Sequence, residues 1–177
     1  GGELARQVAS LAPSEIALLD ASEYLLYQID LEIGERYPLL PRQALLGDVR
    51  DKTRLDQVIS TFAPNIVLHA AALKHVPLVE ANALEGILTN AIGTRNVAEA
   101  SMRAGVGTMV LISTDKAVDP SNVMGATKRL AEAYCQALDI EGHSTGATRF
   151  VAVRFGNVLG STGSVIPLFQ WQIASGG

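Results

Sequence analysis

Ser113-Thr114-Asp115-Lys116 sets a hydroxyl, a carboxylate and an amine side by side, directly behind the apolar run Thr108–Ser113. Neighbouring groups of this kind exchange protons when their surroundings bring their pKa values together, which is what general acid–base catalysis requires. Met124 and Lys128 follow, four residues apart, a spacing that puts both side chains on one face of a helix. Taken singly, each has a plainer reading: Thr114 as a cap, Asp115 with Lys116 as surface charge, Lys128 as a solvated amine. Their concentration behind one buried strand is what points to proton chemistry.

Other polar residues also follow apolar runs. Asp20 ends the run Glu15–Leu19, and it lies 19 residues after Gly1. If Gly1 closes a phosphate-binding loop, Asp20 stands where a carboxylate accepts hydrogen bonds from an adenosine ribose. A carboxylate at a helix N-terminus is the alternative, and both stay open. In Gly47-Asp48-Val49-Arg50 the carboxylate could reach an adenine amino group, or cap the helix that begins near Lys52. His69-Ala70-Ala71-Ala72 brings three small residues to a strand end, where a ligand can approach the backbone closely; His69 itself reads first as a core histidine. Lys74 and His75 then stand at the rim, where a lysine meets phosphate or a sugar hydroxyl, or is simply solvated. His143, in a polar loop, reads as surface.

The elements that must position these residues alternate between two hydrophobic periods. Helical patterns cover Glu3–Leu11, Ser22–Ile33 with Ser22 as N-cap, Lys52–Phe62 stopped by Pro64, Ala83–Ala104 ended by Gly105, Asn122–Leu138 and Val165–Ala174. Short apolar runs at Glu15–Leu19, Gln43–Leu46, Asn65–His69, Thr108–Ser113 and Arg149–Phe155 read as strands, and Gly142–Gly146 as a polar loop. Strands that are apolar throughout imply burial on both faces. Their alternation with helices implies a parallel sheet with right-handed crossovers. The fold expected is α/β, a doubly wound parallel sheet of Rossmann type in one domain, with ligands at the C-terminal ends of the strands.

Composition narrows the function classes. A chain of 177 residues, 48% apolar and 18% charged, is globular. Its net charge of −4 argues against a nucleic-acid or anionic-membrane partner, either of which wants a basic face. One cysteine, Cys135, forms no internal disulfide and suits a reducing compartment. Three histidines and one cysteine are too few and too scattered for a zinc site. No apolar run approaches the ~18–20 residues needed to span a bilayer. There is no signal peptide and no initiating methionine, and the chain enters a helical pattern at Glu3 with no strand ahead of it. Both ends are therefore expected to be cut from something longer.

Four segments carry a family resemblance: HAAALKHVPLVE (His69–Glu80), TNAIGTRNVAEA (Thr89–Ala100), STDKAVDPSNVMGATKRLAE (Ser113–Glu132) and RFGNVLGSTGSVIPLF (Arg154–Phe169). Through them the chain resembles the extended short-chain dehydrogenase/reductase superfamily, and within it the polysaccharide-biosynthesis (CapD-like) branch of nucleotide-sugar 4,6-dehydratases. The resemblance spans essentially all 177 residues. It implies a first strand and a GxxGxxG loop ahead of Gly1, which matches the third glycine, and a sugar-binding lobe beyond Gly177. The chain alone is then a truncated domain, expected to be inactive and poorly folded. Many relatives carry transmembrane helices before the catalytic domain, so a cytoplasmic domain of an inner-membrane-anchored parent fits the resemblance, as does a homo-oligomer.

The resemblance also implies roles. Asp20 and Asp48 contact the adenosine half of NAD, with Val49 beside the adenine; Ala70 and Ala71 pass along the cofactor and Asn90 supports the ribose side. Lys128 hydrogen-bonds the nicotinamide ribose, and Lys74 and Asn157 meet a UDP-sugar, Asn157 near its diphosphate. The superfamily usually has tyrosine where Met124 stands, although larger dehydratases of this branch carry methionine too; Thr162 replaces an arginine common among relatives. The reaction implied oxidises C4 of the hexose, eliminates water across C5 and C6, and returns hydride to C6. Thr114 then bonds the C4 oxygen, Asp115 protonates the departing C6 hydroxyl, and Lys116 takes the C5 proton. A free lysine has a pKa of ~10.4, so Lys116 needs desolvation or Lys128 nearby to act as a base. A C4 epimerase and a non-catalytic NAD(P)-binding module are the alternatives.

Asp20 is expected to favour NAD over NADP, because a carboxylate repels the 2′-phosphate and loses its bonds to the ribose hydroxyls. Cofactor affinities measured on the full-length protein check this. NADP binding as tight as NAD, or tighter, would count against a ribose role for Asp20.

Overall fold

The computed structural model describes residues 1–142, 148–156 and 172–175. Helix α1 (Gly2–Ser10) leads to strand β1 (Ile16–Asp20), and α2 (Glu23–Arg36) to β2 (Arg42–Leu46). Ser22 caps α2 as its sequence suggests, its hydroxyl accepting from the Leu25 amide at 3.3 Å. Helix α3 (Lys52–Phe62) is capped by Asp51, which accepts from the Arg54 amide at 2.9 Å, and not by Asp48. It ends on Ala63 in the left-handed region, φ 48°, just before Pro64. Strand β3 (Ile66–His69) follows, then two short helices, α4 (Val76–Ala81) and α5 (Ala83–Gly86).

The single helix read over Ala83–Ala104 is broken in phase. A π turn, Ile87–Ile92, separates α5 from α6 (Gly93–Arg103). The chain continues through β4 (Thr108–Thr114), a 3₁₀ turn (Asp115–Ala117), α7 (Val123–Gly142) and β5 (Arg149–Phe155). Helix α7 runs into the expected loop at Gly142; the rest of that loop, with His143, lies outside the described residues, as does most of the expected Val165–Ala174 helix.

All strand pairs are parallel, as a βα alternation requires. Strand β1 pairs with β2, Asp20 opposite Leu46. Strands β3, β4 and β5 form a second group, with His69 opposite Leu111 and Thr114 opposite Phe155. Among the described residues the order β2-β1 and β3-β4-β5 is that of a doubly wound sheet, 3-2-1-4-5-6, with the position between the two groups unfilled.

Two cores result. Ala9, Ile16, Leu18, Leu26 and Ile33 join α1 and α2 to β1. The larger core seats Met109 and Leu111 of β4 and Phe150 of β5 under α3, α6 and α7. Strand β4 alternates buried and half-buried residues because helices cover only one of its faces among the described residues. On the other face Ile66 is 60% and Val151 43% exposed, so the double-sided burial expected of these strands is only half met.

Gly93 lets α6 lie against the turn after β2, since a Cβ built on it would lie 2.6 Å from Val49 Cγ2. Overpacking of this kind costs about 1–3 kcal/mol, more than the roughly 1 kcal/mol alanine gains over glycine inside a helix. Gly93→Ala is expected to lower the melting temperature of the full-length protein. An unchanged or higher value would show that Val49 moves aside freely.

Candidate active site

Because the strands are parallel, their C-terminal ends share one edge, and the polar residues gather there. Thr114 ends β4. Its hydroxyl donates to Asp115 Oδ1 at 2.9 Å and accepts from the Lys116 amide at 3.3 Å. Lys116 Nζ donates to the same Asp115 oxygen at 3.2 Å. Hydroxyl, carboxylate and amine thus form one connected cluster. Thr114 first, then Lys116, hold the Asp115 carboxyl below its ordinary value. The Lys116 side chain is 39% exposed, so the described residues do not supply the desolvation that a base role asks for.

Helix α7 is anchored against this cluster. Asn122 accepts from the Gly125 amide at 2.8 Å, and Glu80 of α4 accepts from the Val123 amide at 2.6 Å. Gly125 lies so close to the Lys116 carbonyl that a Cβ would overlap it. Met124 is buried. Lys128 is buried too, and its Nζ donates to the Ile112 carbonyl, two residues before Thr114, at 2.8 Å. Burial pushes the Lys128 ammonium down to about 8, against the opposing charge of Glu132 one turn on. Beyond β5, a Cβ built on Gly156 would sit 3.7 Å from Asp115 Oδ2, so the ends of β4 and β5 meet at the cluster.

The end of β3 is held by buried hydrogen bonds. Asn90, fully buried in the π turn, accepts from the Leu73 amide at 2.8 Å and donates to the Leu73 carbonyl at 3.0 Å and to Thr127 Oγ1 at 3.0 Å. It therefore fixes the segment after Ala70 and Ala71, of which Ala71 is exposed and Ala70 half-buried, and ties it to α7. Lys74 is exposed near the end of that segment. Thr94 donates to the Asn90 carbonyl at 2.7 Å, which uses its one proton; the 2.9 Å contact between Thr94 Oγ1 and His69 Nε2 thus has the imidazole as donor. Burial, then Lys128, pushes His69 down to about 3, so it is a neutral core histidine.

The carboxylates on the β1–β2 side have local partners. Asp20 Oδ1 accepts from the Ser22 amide at 2.8 Å, the helix-terminus arrangement. Asp48 is gripped by the Arg50 side chain, Nε to Oδ2 at 2.9 Å, and Arg50 holds its carboxyl below the ordinary range. Arg50 also reaches Glu85 at 2.9 Å. Val49 is buried against Gly93, and its carbonyl accepts from Asn96 at 3.1 Å. Gly1 is exposed at the start of α1, its carbonyl accepting from Ala5 at 3.0 Å. Asn157 and Thr162 lie outside the described residues. Thr94, Asn96, Gly125, Thr127 and Arg50 escaped the sequence reading; the one available signal was the four-residue spacing of Asn90 and Thr94 in TNAIGTRN. Among the described residues no cluster of histidine, cysteine and carboxylates could hold a metal ion, and no helix is long and apolar enough to cross a membrane.

The family model described as polysaccharide biosynthesis protein matches residues 1–177. The capsular polysaccharide biosynthesis protein CapD of Staphylococcus aureus is 51% identical over 181 residues, covering 100% of this chain and 29% of its own length. A UDP-N-acetylglucosamine 4,6-dehydratase (inverting) of Campylobacter jejuni is 46% identical across 74% of this chain and 38% of its own. A UDP-glucose 4-epimerase of Rickettsia rickettsii is 42% identical across 84% of this chain and 42% of its own. Each of these relatives is thus more than twice as long as the matched part. Among solved structures, Pen from Bacillus thuringiensis has a TM-score of 0.86 at 35% identity, covering 99% of this chain and 52% of its own. DesIV, a dTDP-glucose 4,6-dehydratase from Streptomyces venezuelae solved with NAD and TYD bound, has a TM-score of 0.80 at 25% identity, covering 100% and 59%.

The depressed His69 makes stability depend on pH. Unfolded, it takes a proton near 6.5; folded, it resists one until about 3. Stability is therefore full above pH 6.5 and falls as the pH drops through that window. Between pH 6.5 and 5, about 1–2 kcal/mol is expected to be lost to this group. Urea unfolding at both pH values, compared with His69→Gln, measures it. The same slope in the variant would assign the effect elsewhere.

Proposed function

Because the chain belongs to the polysaccharide biosynthesis protein family, we propose that it is the cofactor-binding domain of a nucleotide-sugar 4,6-dehydratase of UDP-N-acetylglucosamine type, a short-chain dehydrogenase/reductase working in surface-polysaccharide or glycan biosynthesis. The observation that carries this reading is the connected Thr114–Asp115–Lys116 cluster beside buried Lys128. Similarity to a 4,6-dehydratase over 74% of the chain supports it.

The strand-end layout fits NAD: carboxylates Asp20 and Asp48 for the adenosine half with Val49 nearby, small residues Ala70 and Ala71 along the middle, and Lys128 for the nicotinamide ribose. When bound, NAD supplies a redox cycle at the sugar with no net oxidation. The protein's residues move the protons. Thr114 hydrogen-bonds the C4 oxygen, Asp115 protonates the leaving C6 hydroxyl and Lys116 removes the C5 proton. At rest Asp115 and Lys116 form an ion pair, so one proton must first cross from Lys116 to Asp115, which are 3.2 Å apart. Met124 has no proton to exchange, so the C4 hydroxyl proton goes to a water held by Thr114 or Asp115, or to Asp115 itself in place of the Lys116 proton; the proton that Lys116 takes from C5 returns there as hydride reaches C6.

Lys74 and Asn157 are assigned to the UDP-sugar and Gly1 to the cofactor pyrophosphate. The parent protein is read as having a first strand and glycine loop before Gly1, a sugar-binding lobe after Gly177 and a cytoplasmic active domain, with a membrane anchor and a homo-oligomer compatible with this reading. The second reading, a UDP-sugar C4 epimerase, is favoured by the similarity to a UDP-glucose 4-epimerase. It has no water to eliminate and gives the Asp115–Lys116 pair no task.

Incubating the full-length protein with UDP-N-acetylglucosamine is expected to yield a 4-keto-6-deoxy product; a C4-epimerised sugar would establish the second reading. In the same assay Asp115→Asn and Lys116→Ala are expected to lose ~10²–10⁴-fold in turnover. Met124→Tyr should lose far less. Equal losses in all three would show the roles to be wrongly assigned.

A further inference from the structure

Glu132 stands one turn beyond Lys128 on α7 and is only 5% exposed. A carboxylate so deeply buried needs partners. Arg154 of β5 grips it twice, Nε to Oε1 at 2.9 Å and Nη2 to Oε2 at 2.6 Å, and Arg129 reaches Oε2 at 3.5 Å. Burial alone would raise this carboxyl; Arg154 first, with Arg129, brings it below its ordinary value. Glu132 is therefore a fixed negative charge inside the fold, and the mechanism above gives it no task.

We propose that Glu132, clamped by Arg154, is a positioning residue for Lys128: it sets a negative charge one helical turn behind the ammonium and keeps it protonated where it faces the cofactor ribose. This rests on the reading of Lys128 as the cofactor-side amine. Burial works against that charge, and Glu132 is the foremost group opposing the loss. The remaining groups around Lys128 do not replace it. His69 of β3 is neutral, and Cys135 of α7 is a thiol raised to about 11 by burial. Asp115, past β4, is exposed and paired with Lys116. Glu99 of α6 is committed to Lys52 and Arg103. Arg154 and Arg129 are cations and would push the other way.

Carbon-13 labelling of lysine side chains in the full-length protein follows the Lys128 ammonium by NMR, assigned with Lys128→Arg, and needs neither cofactor nor turnover. Glu132→Gln is expected to lower the Lys128 titration midpoint by about one pH unit, and the alkaline limb of the kcat/KM profile with it. Glu132→Asp keeps the charge and should restore the midpoint. Arg154→Gln removes the clamp but leaves the carboxylate, so the midpoint should stay or rise. A merely structural role would disturb Glu132→Gln and Arg154→Gln alike. A midpoint unmoved in Glu132→Gln, or lowered in both, would overturn the proposal; should Glu132→Gln not fold, the double variant Glu132→Gln/Arg154→Gln, which leaves neither buried charge unpaired, carries the contrast: a midpoint below that of Arg154→Gln alone upholds the proposal and an equal one overturns it. A midpoint that follows Glu132 in a protein that turns over no nucleotide sugar would uphold the positioning role and refute the dehydratase.

Discussion

Burying the amine of Lys128 constrains most of what surrounds it. An ammonium taken out of water is costly unless an acceptor and a countercharge replace its hydration. The acceptor is the Ile112 carbonyl, which is available only if α7 lies tightly along the end of β4. That approach requires the bare Cα of Gly125 against the Lys116 carbonyl. It also requires a well-fixed helix start, which Asn122 and Glu80 provide by accepting the first amides. Thr114, Asp115 and Lys116 are thereby held between the end of β4 and the start of α7.

The cluster at the end of β4 illustrates how ground-state charges differ from working ones. A carboxylate between a hydroxyl and an ammonium is stabilised as an anion, yet the proposed elimination asks it to be an acid. The same 3.2 Å contact that stabilises the ion pair is also the shortest route for the proton that reverses it. Exclusion of water by a bound sugar would favour the neutral pair over the charged one, since desolvation penalises both charges together. The resting structure and the catalytic assignment are compatible on that condition.

How far the sequence could be read follows from how local each signal is. The strands were legible because their apolar runs are bounded by turn residues, and Ser22 and Lys52–Phe62 because caps and proline act within a few residues. The cap of α3 could not be separated in sequence because Asp48 and Asp51 are alike in type, and only Arg50, which occupies Asp48, tells them apart. The π turn carries no local signal at all: Ile87–Ile92 contains neither proline nor glycine, and the break answers to the packing of Asn90 against Leu73 and Thr127. Glu132 looks like an ordinary surface carboxylate on a helix because its partner Arg154 is 22 residues away. The polar run Ser113–Lys116 was legible as a cluster behind one strand, whereas the charge states within it were not, since they depend on burial and on contacts made by other elements.

The π turn also shapes how the chain can vary in length. It winds more slowly than an α-helix, so one extra residue is taken up within it while the flanking turns keep their phase. Removing one residue from Ile87–Ile92 would return the segment to a regular helix with α6 in place, and Val97, Ala98 and Ala100 would keep their seats in the core. The loss would be local, to the bulge that carries Asn90 to Leu73 and Thr127. The same deletion inside α6 would rotate everything after it by about 100°.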